Sequence, residues 1–371
     1  MLTKLLPRNI GLWIGSYVRQ RLFKLAKGKV DFPVHVMFCF ADHHEPRHGG
    51  VDKKQEFQRV AYWLNHYPKL ADKFADSDGF HPKHSFFFPE EEYRPEHIEA
   101  IGSLCEKGLG EVEVHLHHDN DSEQGFRNKL ISFRNTLYEQ HGLLGTDTND
   151  QPVYSFIHGN WALNNSRPDG RWCGVDNETD ILLETGCYAD LTMPSAPSDT
   201  QTSKINSIYY ANPFNGCAKS HDRGEDVCVG STDRGRLLMI QGPLGLNWRR
   251  LNKGMPKIEY SDISETYAPA RDRVKLWLDA DIHVKGRPEW VFIKVHTHGS
   301  AEECASMLLG EGGYRLHSDI QSVLNDGKQF KLHYVTAREM VNIIKAAEAG
   351  KKGDPGNYRD FMIKPPARLG K

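Results

Sequence analysis

The stretch EVEVHLHHDND, residues 111–121, alternates strictly between two kinds of side chain before it ends in a polar cluster. Alternation with a period of two is the pattern of a β-strand that has one apolar and one polar face. The apolar face would carry Val112, Val114 and Leu116. The polar face would carry His115 and His117, so the stretch predicts a strand with two imidazoles near its C-terminal end.

Short apolar stretches recur along the chain, and most are followed by a helical pattern. Strands that alternate with helices predict parallel βα units with right-handed crossovers. Seven or eight such units favour a closed (β/α) barrel over an open doubly wound sheet, and no GxGxxG motif follows the first strand. We therefore expect an α/β barrel of seven to eight parallel strands in one domain with insertions. The expected strands are residues 34–40, 83–89, 111–117, 152–159, 187–193, 235–242, 289–296 and 331–336.

Composition restricts the classes of partner and compartment. Hydrophobic residues make up 39% of the 371 residues, which is enough for a sizeable core. The formal net charge of -2 gives no general support for a nucleic-acid partner. No stretch approaches the ~20 apolar residues of a membrane span, and we see no signal-peptide pattern. The seven cysteines are dispersed without CxxC spacing, which favours reduced thiols and a cytoplasmic location.

Three segments are expected along the chain. Residues 1–30 form a basic helical segment with seven Lys/Arg and no acidic residue. This segment either packs across the bottom of the barrel or rests on an anionic membrane surface, at the inner face of the membrane. Residues 31–350 form the barrel, with an insertion at about 194–286, because so long a connection is unusual in a compact domain. Residues 351–371 are expected to be a flexible basic tail.

Ionisable residues follow several predicted strands at the end where a βα barrel places its active site. Asp42 follows the first strand, and His115 and His117 close the third, with Asp119 just beyond. A His-x-His pair places two imidazoles on one side of a strand, a spacing that suits a divalent ion. We therefore expect a metal, of the Zn²⁺ type, held by Asp42, His115 and His117 with Asp119 as a further ligand.

Four more histidines at the same end are candidates for proton transfer. His296 and His298 end the seventh predicted strand and would face the metal from across the barrel. His296 is well placed to act as the acid that protonates a leaving group. His43, His44 or His298 would act as the base or would orient other groups, and the sequence alone does not separate these roles.

The order of these motifs resembles the polysaccharide deacetylase superfamily, the NodB homology domain, over roughly residues 34–339. FCFADHH is similar to the first motif, with Asp42 at the second of its paired aspartates and Ala41 where the family has its catalytic base. EVEVHLHHDND is similar to the second motif, a histidine with another histidine four residues on. Here His115 is followed at that spacing by Asp119, with His117 and His118 as substitutes. IKVH is similar to the last motif and supplies His296, the family's general acid.

The resemblance implies a distorted (β/α) barrel and a divalent metal that serves the removal of acetyl groups from N-acetylated sugars. HGNWALNNSRPDGRWCG and GCYADLTMPSAPSDTQ resemble the signature of a divergent, deacetylase-like branch associated with polysaccharide biosynthesis. We expect a metal-dependent hydrolase that de-N-acetylates a polysaccharide or its precursor. Two alternatives stay open: a glycosidase or lyase that uses paired carboxylates such as Asp42 with Asp119 or Asp190, and a non-catalytic glycan-binding scaffold.

Overall fold

The computed structural model describes residues 7–26, 28, 30–252 and 254–369. Within these ranges the chain forms twelve β-strands and nine α-helices. The strands are β1 (Val34–His43), β2 (His84–Pro89), β3 (Gly110–Leu116), β4 (Tyr154–His158), β5 (Cys187–Asp190), β6 (Ile208–Ala211), β7 (Gly224–Asp226), β8 (Leu238–Ile240), β9 (Gly245–Asn252), β10 (Met255–Glu259), β11 (Trp290–Thr297) and β12 (Phe330–Val335). The helices are α1 (Ile14–Ala26), α2 (Lys53–Ala71), α3 (Pro95–Glu106), α4 (Glu123–Asn135), α5 (Glu178–Glu184), α6 (Arg271–Asp279), α7 (Glu302–Leu309), α8 (Glu311–Leu324) and α9 (Ala337–Glu348).

One large, mostly parallel sheet organises the molecule. Its strands run in the order β11, β1, β2, β3, β4, β5, β8, β6 and β7, and the pairs from β11 to β8 are parallel. β12 pairs with the first half of β1, and β2 pairs with its second half, so both lie along the edge of β1 that β11 leaves free. β9 and β10 form a separate antiparallel pair. The predicted α/β class and its parallel βα units are confirmed.

Ring closure is not seen among the strand pairs of the described residues. After β5 the chain adds the antiparallel strands β6 and β7 beside β8 instead of further βα units. β11, at one end of the sheet, still approaches β5, five strands along the order, because Lys294 of β11 donates hydrogen bonds to the carbonyl oxygens of Leu191 and Met193 just beyond β5. The sheet is therefore strongly curved where its carboxyl ends meet.

The two faces of the sheet carry different cores. Val112, Val114 and Leu116 of β3 pack in the larger core with residues of α2, α3 and α4, as their alternation predicts. A second core on the other face includes Cys39 and Ala41 of β1. We call these the helix face and the inner face. Side chains at successive positions of a strand therefore enter different environments.

Helix α1 contacts the 194–286 insertion. Trp13, just before the helix, is buried beside Ile205 and Leu244. Lys24 pairs with Asp279 of α6. Four large apolar side chains of α1 are exposed instead: Val18, Leu22, Phe23 and Leu25. Residues 1–6, 27 and 29 of the expected basic segment lie outside the described residues, and contact of this segment with a membrane surface stays a prediction.

Residues 351–369 pack against the body of the protein, which corrects the expectation of a flexible tail. Arg359 is buried, with one guanidinium nitrogen 3.3 Å from Asp76 Oδ2 and another 3.1 Å from Glu339 Oε2. Ile363 is buried as well, and its carbonyl oxygen accepts a hydrogen bond from Arg338. The basic residues of this segment pair with carboxylates of the body, which its composition alone does not reveal.

None of the helices in the described part of the chain is both long enough and apolar enough to cross a membrane.

Candidate metal centre

A carboxylate surrounded by imidazoles lies at the carboxyl end of the sheet. Glu45 follows β1, His115 and His117 come from the end of β3, and His298 follows β11. His43 is the last residue of β1 and lies on the same inner face, with its ring centroid 4.8 Å from that of His115. We call Glu45, His43, His115, His117 and His298 the Glu45 cluster.

Both oxygens of Glu45 contact imidazoles. Glu45 Oε1 lies 3.1 Å from His115 Nε2 and 3.3 Å from His117 Nε2. Glu45 Oε2 lies 3.2 Å from His298 Nδ1 and 3.2 Å from His48 Nδ1. Each carboxylate oxygen therefore lies near two imidazole nitrogens. Those near Oε1 come from the end of β3, and those near Oε2 come from the residue after β11 and from the turn that follows Glu45.

Hydrogen bonds of the Nδ1 atoms fix the ring orientation of His115 and His117. His115 Nδ1 lies 2.7 Å from the carbonyl oxygen of Ile157, which can only accept, so Nδ1 carries the hydrogen. His117 Nδ1 lies 2.5 Å from Glu91 Oε1 in the same way. In a neutral ring the Nε2 atom therefore presents a lone pair toward Glu45, and in an imidazolium it donates a hydrogen bond to Glu45. Burial would lower the pKa of His117, but the hydrogen bond to Glu91 and the charge of Glu45 raise it overall. Metal-ligating histidines characteristically donate their other N–H to a carbonyl or carboxylate in this manner.

Electrostatics in the cluster favour an ionised carboxylate. Burial alone would raise the pKa of Glu45, which is 2% exposed, but hydrogen bonds from His115, His298 and His48 outweigh it and hold the pKa well below the ordinary value. Burial lowers the pKa of His43 well below its ordinary value, and His298 and His115 lower it further. His43 is therefore a neutral imidazole at pH 7, the form that binds metals.

The cluster opens to solvent on one side. The side chains of His117 and His298 are 31% and 40% exposed, whereas His115 is fully buried. Burial would lower the pKa of His298, but the hydrogen bond to Glu45 raises it overall. An arrangement with buried ligands on one side and accessible imidazoles on the other leaves room for a substrate.

His296 lies deeper on the inner face beside the cluster. Its ring centroid is 6.2 Å from that of His43, and neither ring nitrogen has a hydrogen-bond partner among the described residues. The nearest carboxylate oxygen is Asp262 Oδ1, at 4.0 Å from Nε2. Burial lowers the pKa of His296 well below the ordinary value, and the nearby Lys294 and His298 charges lower it further. His296 is thus a neutral imidazole, a weak base that becomes a strong acid once it is protonated.

Asp42 lies away from the Glu45 cluster, which corrects the expected ligand set. Its Oδ1 accepts a hydrogen bond from the Gly299 N–H at 2.7 Å, and its Oδ2 lies 3.2 Å from His44 Nδ1. His44 packs against Trp63 of α2, on the helix face. Asp42 and His43 are adjacent in the strand, so their side chains point to opposite faces of the sheet. Alternation places Asp42 and His44 together on the helix face.

Asp119 also lies apart from the cluster. It is exposed beyond the end of β3, and its Oδ1 accepts a hydrogen bond from the Trp172 N–H at 2.6 Å. Its place four residues after His115 does not bring it back to the inner face, because the chain has left the strand at that point. The structure thus brings together His43, His115, His117, His296 and His298 of the predicted residues, and separates Asp42, His44 and Asp119 from them.

Sequence reasoning missed Glu45, the residue at the centre of the cluster. The signal was its position two residues after His43, which continues the inner face of β1 past the end of the strand. Glu113 and Lys294, two charged residues of β3 and β11, have separate partners. Glu113 accepts hydrogen bonds from Tyr188 and from the Ser155 N–H, and Lys294 binds main-chain oxygens.

Comparison of the chain with protein-family models finds no match, and comparison with curated proteins finds none either. The Glu45 cluster is therefore interpreted from its own chemistry. Buried histidine and glutamate groups of this kind are able to hold a metal ion, and the ligand atoms of His43, Glu45 and His115 all lie within 4.8 Å of one another.

Proposed function

We propose that the protein is a metal-dependent hydrolase that de-N-acetylates a carbohydrate, either a polysaccharide or its precursor. The observation that carries this proposal is the Glu45 cluster, in which the Nε2 atoms of His115 and His117 converge on one buried carboxylate. A buried lone pair opposite a carboxylate oxygen is unfavourable unless a proton or a cation lies between them. A divalent cation satisfies all of these atoms at once.

Four residues would hold the metal: Glu45, His43, His115 and His117. Imidazole nitrogens with one carboxylate form a ligand set typical of Zn²⁺ in hydrolases, so we propose zinc. The hydrogen bonds of His115 to Ile157 and of His117 to Glu91 support this assignment, since they fix the rings with Nε2 toward Glu45. The solvent-exposed edge of the cluster leaves a position for water or substrate.

When bound, the metal would polarise the amide carbonyl and acidify a coordinated water. Side chains of the protein would then carry out the proton transfers. His296, with both ring nitrogens unpartnered and a lowered pKa, would take up a proton and deliver it to the leaving amine. His298, held by Glu45 at the exposed edge, would orient the substrate or exchange the proton with solvent.

The proposed centre retains the barrel fold and the metal of the deacetylase family but uses different residues as base and carboxylate ligand. We propose that the curved sheet is a distorted (β/α) barrel of the NodB kind, and the contact of Lys294 with the main chain beyond β5 supports it. Ala41 lies on the inner face beside His43, where the family's base would stand. His296 or His298 would therefore replace that base, and Glu45 would replace Asp42 as the carboxylate ligand.

The proposed compartment is the cytoplasm. All seven cysteines lie in the described part of the chain, and all are free. Free thiols are the usual state in a reducing compartment. Cell fractionation that finds the protein outside the cytoplasm would contradict this assignment.

Metal analysis of His115→Ala tests the proposed centre. Purified wild-type protein reconstituted with Zn²⁺ should release acetate from oligomers of N-acetylglucosamine or from another member of a panel of acetylated sugars. His115→Ala should lose the bound metal of the Glu45 cluster and at least 100-fold of the activity. Loss of a residue that only hydrogen-bonds to a metal ligand already lowers metal affinity or activity about 10- to 100-fold, so removal of a ligand itself should cost at least as much. Wild-type protein that binds no metal at this cluster after reconstitution would overturn the proposal, and turnover unaffected by chelators would favour a glycosidase or lyase.

A further inference from the structure

A second group of ligand-type side chains lies on the helix face of the sheet. His118 follows β3, His158 ends β4, Cys173 lies in the loop after β4, and Glu178 begins α5. All four are buried, and their ligand atoms lie within 4.8 Å of one another. We call them the Cys173 cluster. Alternation separates the two clusters, because His117 enters the Glu45 cluster and His118, the next residue, enters this one.

The distances within the Cys173 cluster suit a single ion. Glu178 Oε1 lies 3.2 Å from His118 Nε2 and 3.4 Å from His158 Nε2. Cys173 Sγ lies 3.3 Å from Glu178 Oε2. Ligands of a tetrahedral Zn²⁺, at bond lengths of about 2.0–2.3 Å, are separated from one another by roughly 3.3–3.8 Å. The observed separations are those of neighbouring ligands around one metal.

His158 shows that hydrogen bonding alone does not satisfy the group. Its Nδ1 contacts the carbonyl oxygen of Gly159, so Nδ1 carries the hydrogen of the neutral ring. Its Nε2 is buried and has no hydrogen-bond partner in the part of the chain that the structure describes, although Glu178 Oε1 lies 3.4 Å away. Two acceptors then face each other without a hydrogen between them, and a cation removes that conflict.

Two main-chain N–H groups point at the sulfur of Cys173, and the protonated thiol donates to Glu178 Oε2. Burial and the Glu178 charge raise the pKa of this thiol, so a bound cation is needed to form the thiolate. The Cys173 sulfur accepts hydrogen bonds from the N–H groups of Asn165 at 3.3 Å and of Val175 at 3.4 Å. Hydrogen bonds from main-chain N–H groups stabilise negative charge on sulfur, and a coordinating thiol is deprotonated. One divalent ion with the thiolate, the Glu178 carboxylate and two neutral imidazoles has a net charge of zero, which suits complete burial.

The His118 ring is held on both sides. It is stacked on Phe126 of α4, with centroids 4.7 Å apart, and its Nε2 lies 3.2 Å from Glu178 Oε1. Its Nδ1 lies 3.4 Å from Asp121 Oδ2 and makes no hydrogen bond within the described part of the chain. Asp121 is itself paired with Lys129 at 2.7 Å.

We propose that His118, His158, Cys173 and Glu178 form a second metal site, a closed structural site for one divalent cation of the Zn²⁺ class. The ion joins the ends of β3 and β4 to the loop at 159–177 and to the start of α5. Four protein ligands without an open position are typical of structural zinc. Binding releases the thiol proton of Cys173 to water. The site is separate from the proposed catalytic centre and does not depend on it.

Metal analysis of the full-length protein purified with Zn²⁺ tests this site. Wild-type protein should hold about two equivalents of metal per chain, one in each cluster. Cys173→Ser should lose one equivalent and keep the metal that His115→Ala removes. Cys187→Ser is the matched control, because Cys187 is equally buried and lies outside both clusters, and it should keep both. Cys173→Ser protein that keeps both equivalents, or wild-type protein whose only metal is lost in His115→Ala, would overturn the proposal.

Cobalt substitution of the wild-type chain gives a readout that does not depend on a stable Cys173 variant. Co²⁺ bound to a thiolate absorbs strongly in the near ultraviolet through charge transfer, and the Glu45 cluster contains no sulfur. The band should be present in the wild type and in His115→Ala. Its absence from Co²⁺-loaded wild-type protein would overturn the second site. Its presence together with a His115→Ala protein that still binds two equivalents of metal, or that still releases acetate at the wild-type rate, would overturn only the proposed function.

Discussion

At the residue scale, one position along β1 decides which side chains reach the candidate centre. His43 and Glu45 continue the inner face, while Asp42 and His44 continue the helix face, where Asp42 binds the Gly299 N–H. A strand cannot present neighbouring residues to the same side. The stretch ADHHEP therefore contributes to two environments, and the carboxylate available to a metal is that of Glu45.

The Asp42→Asn variant distinguishes a structural role of Asp42 from a role in metal binding. The variant should keep the full metal content of the wild type, because the carboxylate of Asp42 does not face the Glu45 cluster. Its free energy of unfolding should fall by about 1.5–3 kcal/mol, the usual worth of hydrogen bonds to a buried charged group, since His44 and Gly299 lose a charged acceptor. Metal analysis and urea unfolding check both expectations, and a folded Asp42→Asn protein without the metal of the Glu45 cluster would contradict the ligand set.

At the element scale, α9 joins the chain's last segment to the sheet through buried charge. Glu339 lies in the first turn of α9, where it forms a capping box with Thr336. Its carboxylate is paired with Lys83 at 2.7 Å and with Arg359 at 3.1 Å. Burial alone would raise the pKa of Glu339, but Lys83 and Arg359 outweigh it and lower the pKa to about 2.

Glu339→Gln should reduce the free energy of unfolding by about 3–5 kcal/mol at pH 7, because two buried cations lose their partner. The pKa of Glu339 is lowered in the folded state, so its contribution is present above the ordinary value of 4.5 and is lost as the pH falls toward about 2. The difference between the two proteins should therefore shrink between pH 5 and pH 2. Urea unfolding at several pH values measures it, with the exposed Glu303→Gln as control; a difference that does not depend on pH would contradict the argument.

Element positions were predictable from the sequence to a useful degree. Alternation in residues 111–117 predicts β3 and both of its faces, and the strand at residues 331–336 is found as β12. The packing of residues 351–369 was not predictable, because the partners of Arg359 are distant carboxylates that only the fold brings near. Glu178 and Cys173 were missed for the same reason: they meet His118 and His158 only after the loop at 159–177 returns to the sheet.

At the scale of the whole molecule, the curved parallel sheet collects the ends of β1, β3 and β11 around one carboxylate. The contact of Glu45 with His298 joins parts of the chain that are 253 residues apart. The order of the strands explains this, because β1 lies between β11 and β2 and directs Glu45 toward its neighbours. A protein with a metal at this meeting point would combine a rigid set of ligands with an open edge, which is the general arrangement of a catalytic metal site.

Acetate release before and after removal of the metal tests this central claim most directly. Protein stripped with a chelator should release no acetate from its N-acetylated glycan substrate, and added Zn²⁺ should restore the wild-type rate. Glu45→Gln should stay inactive after the same addition, because the carboxylate that joins the four imidazoles has lost its charge. Acetate release that persists in the metal-free protein, or full recovery of Glu45→Gln on addition of Zn²⁺, would contradict the account.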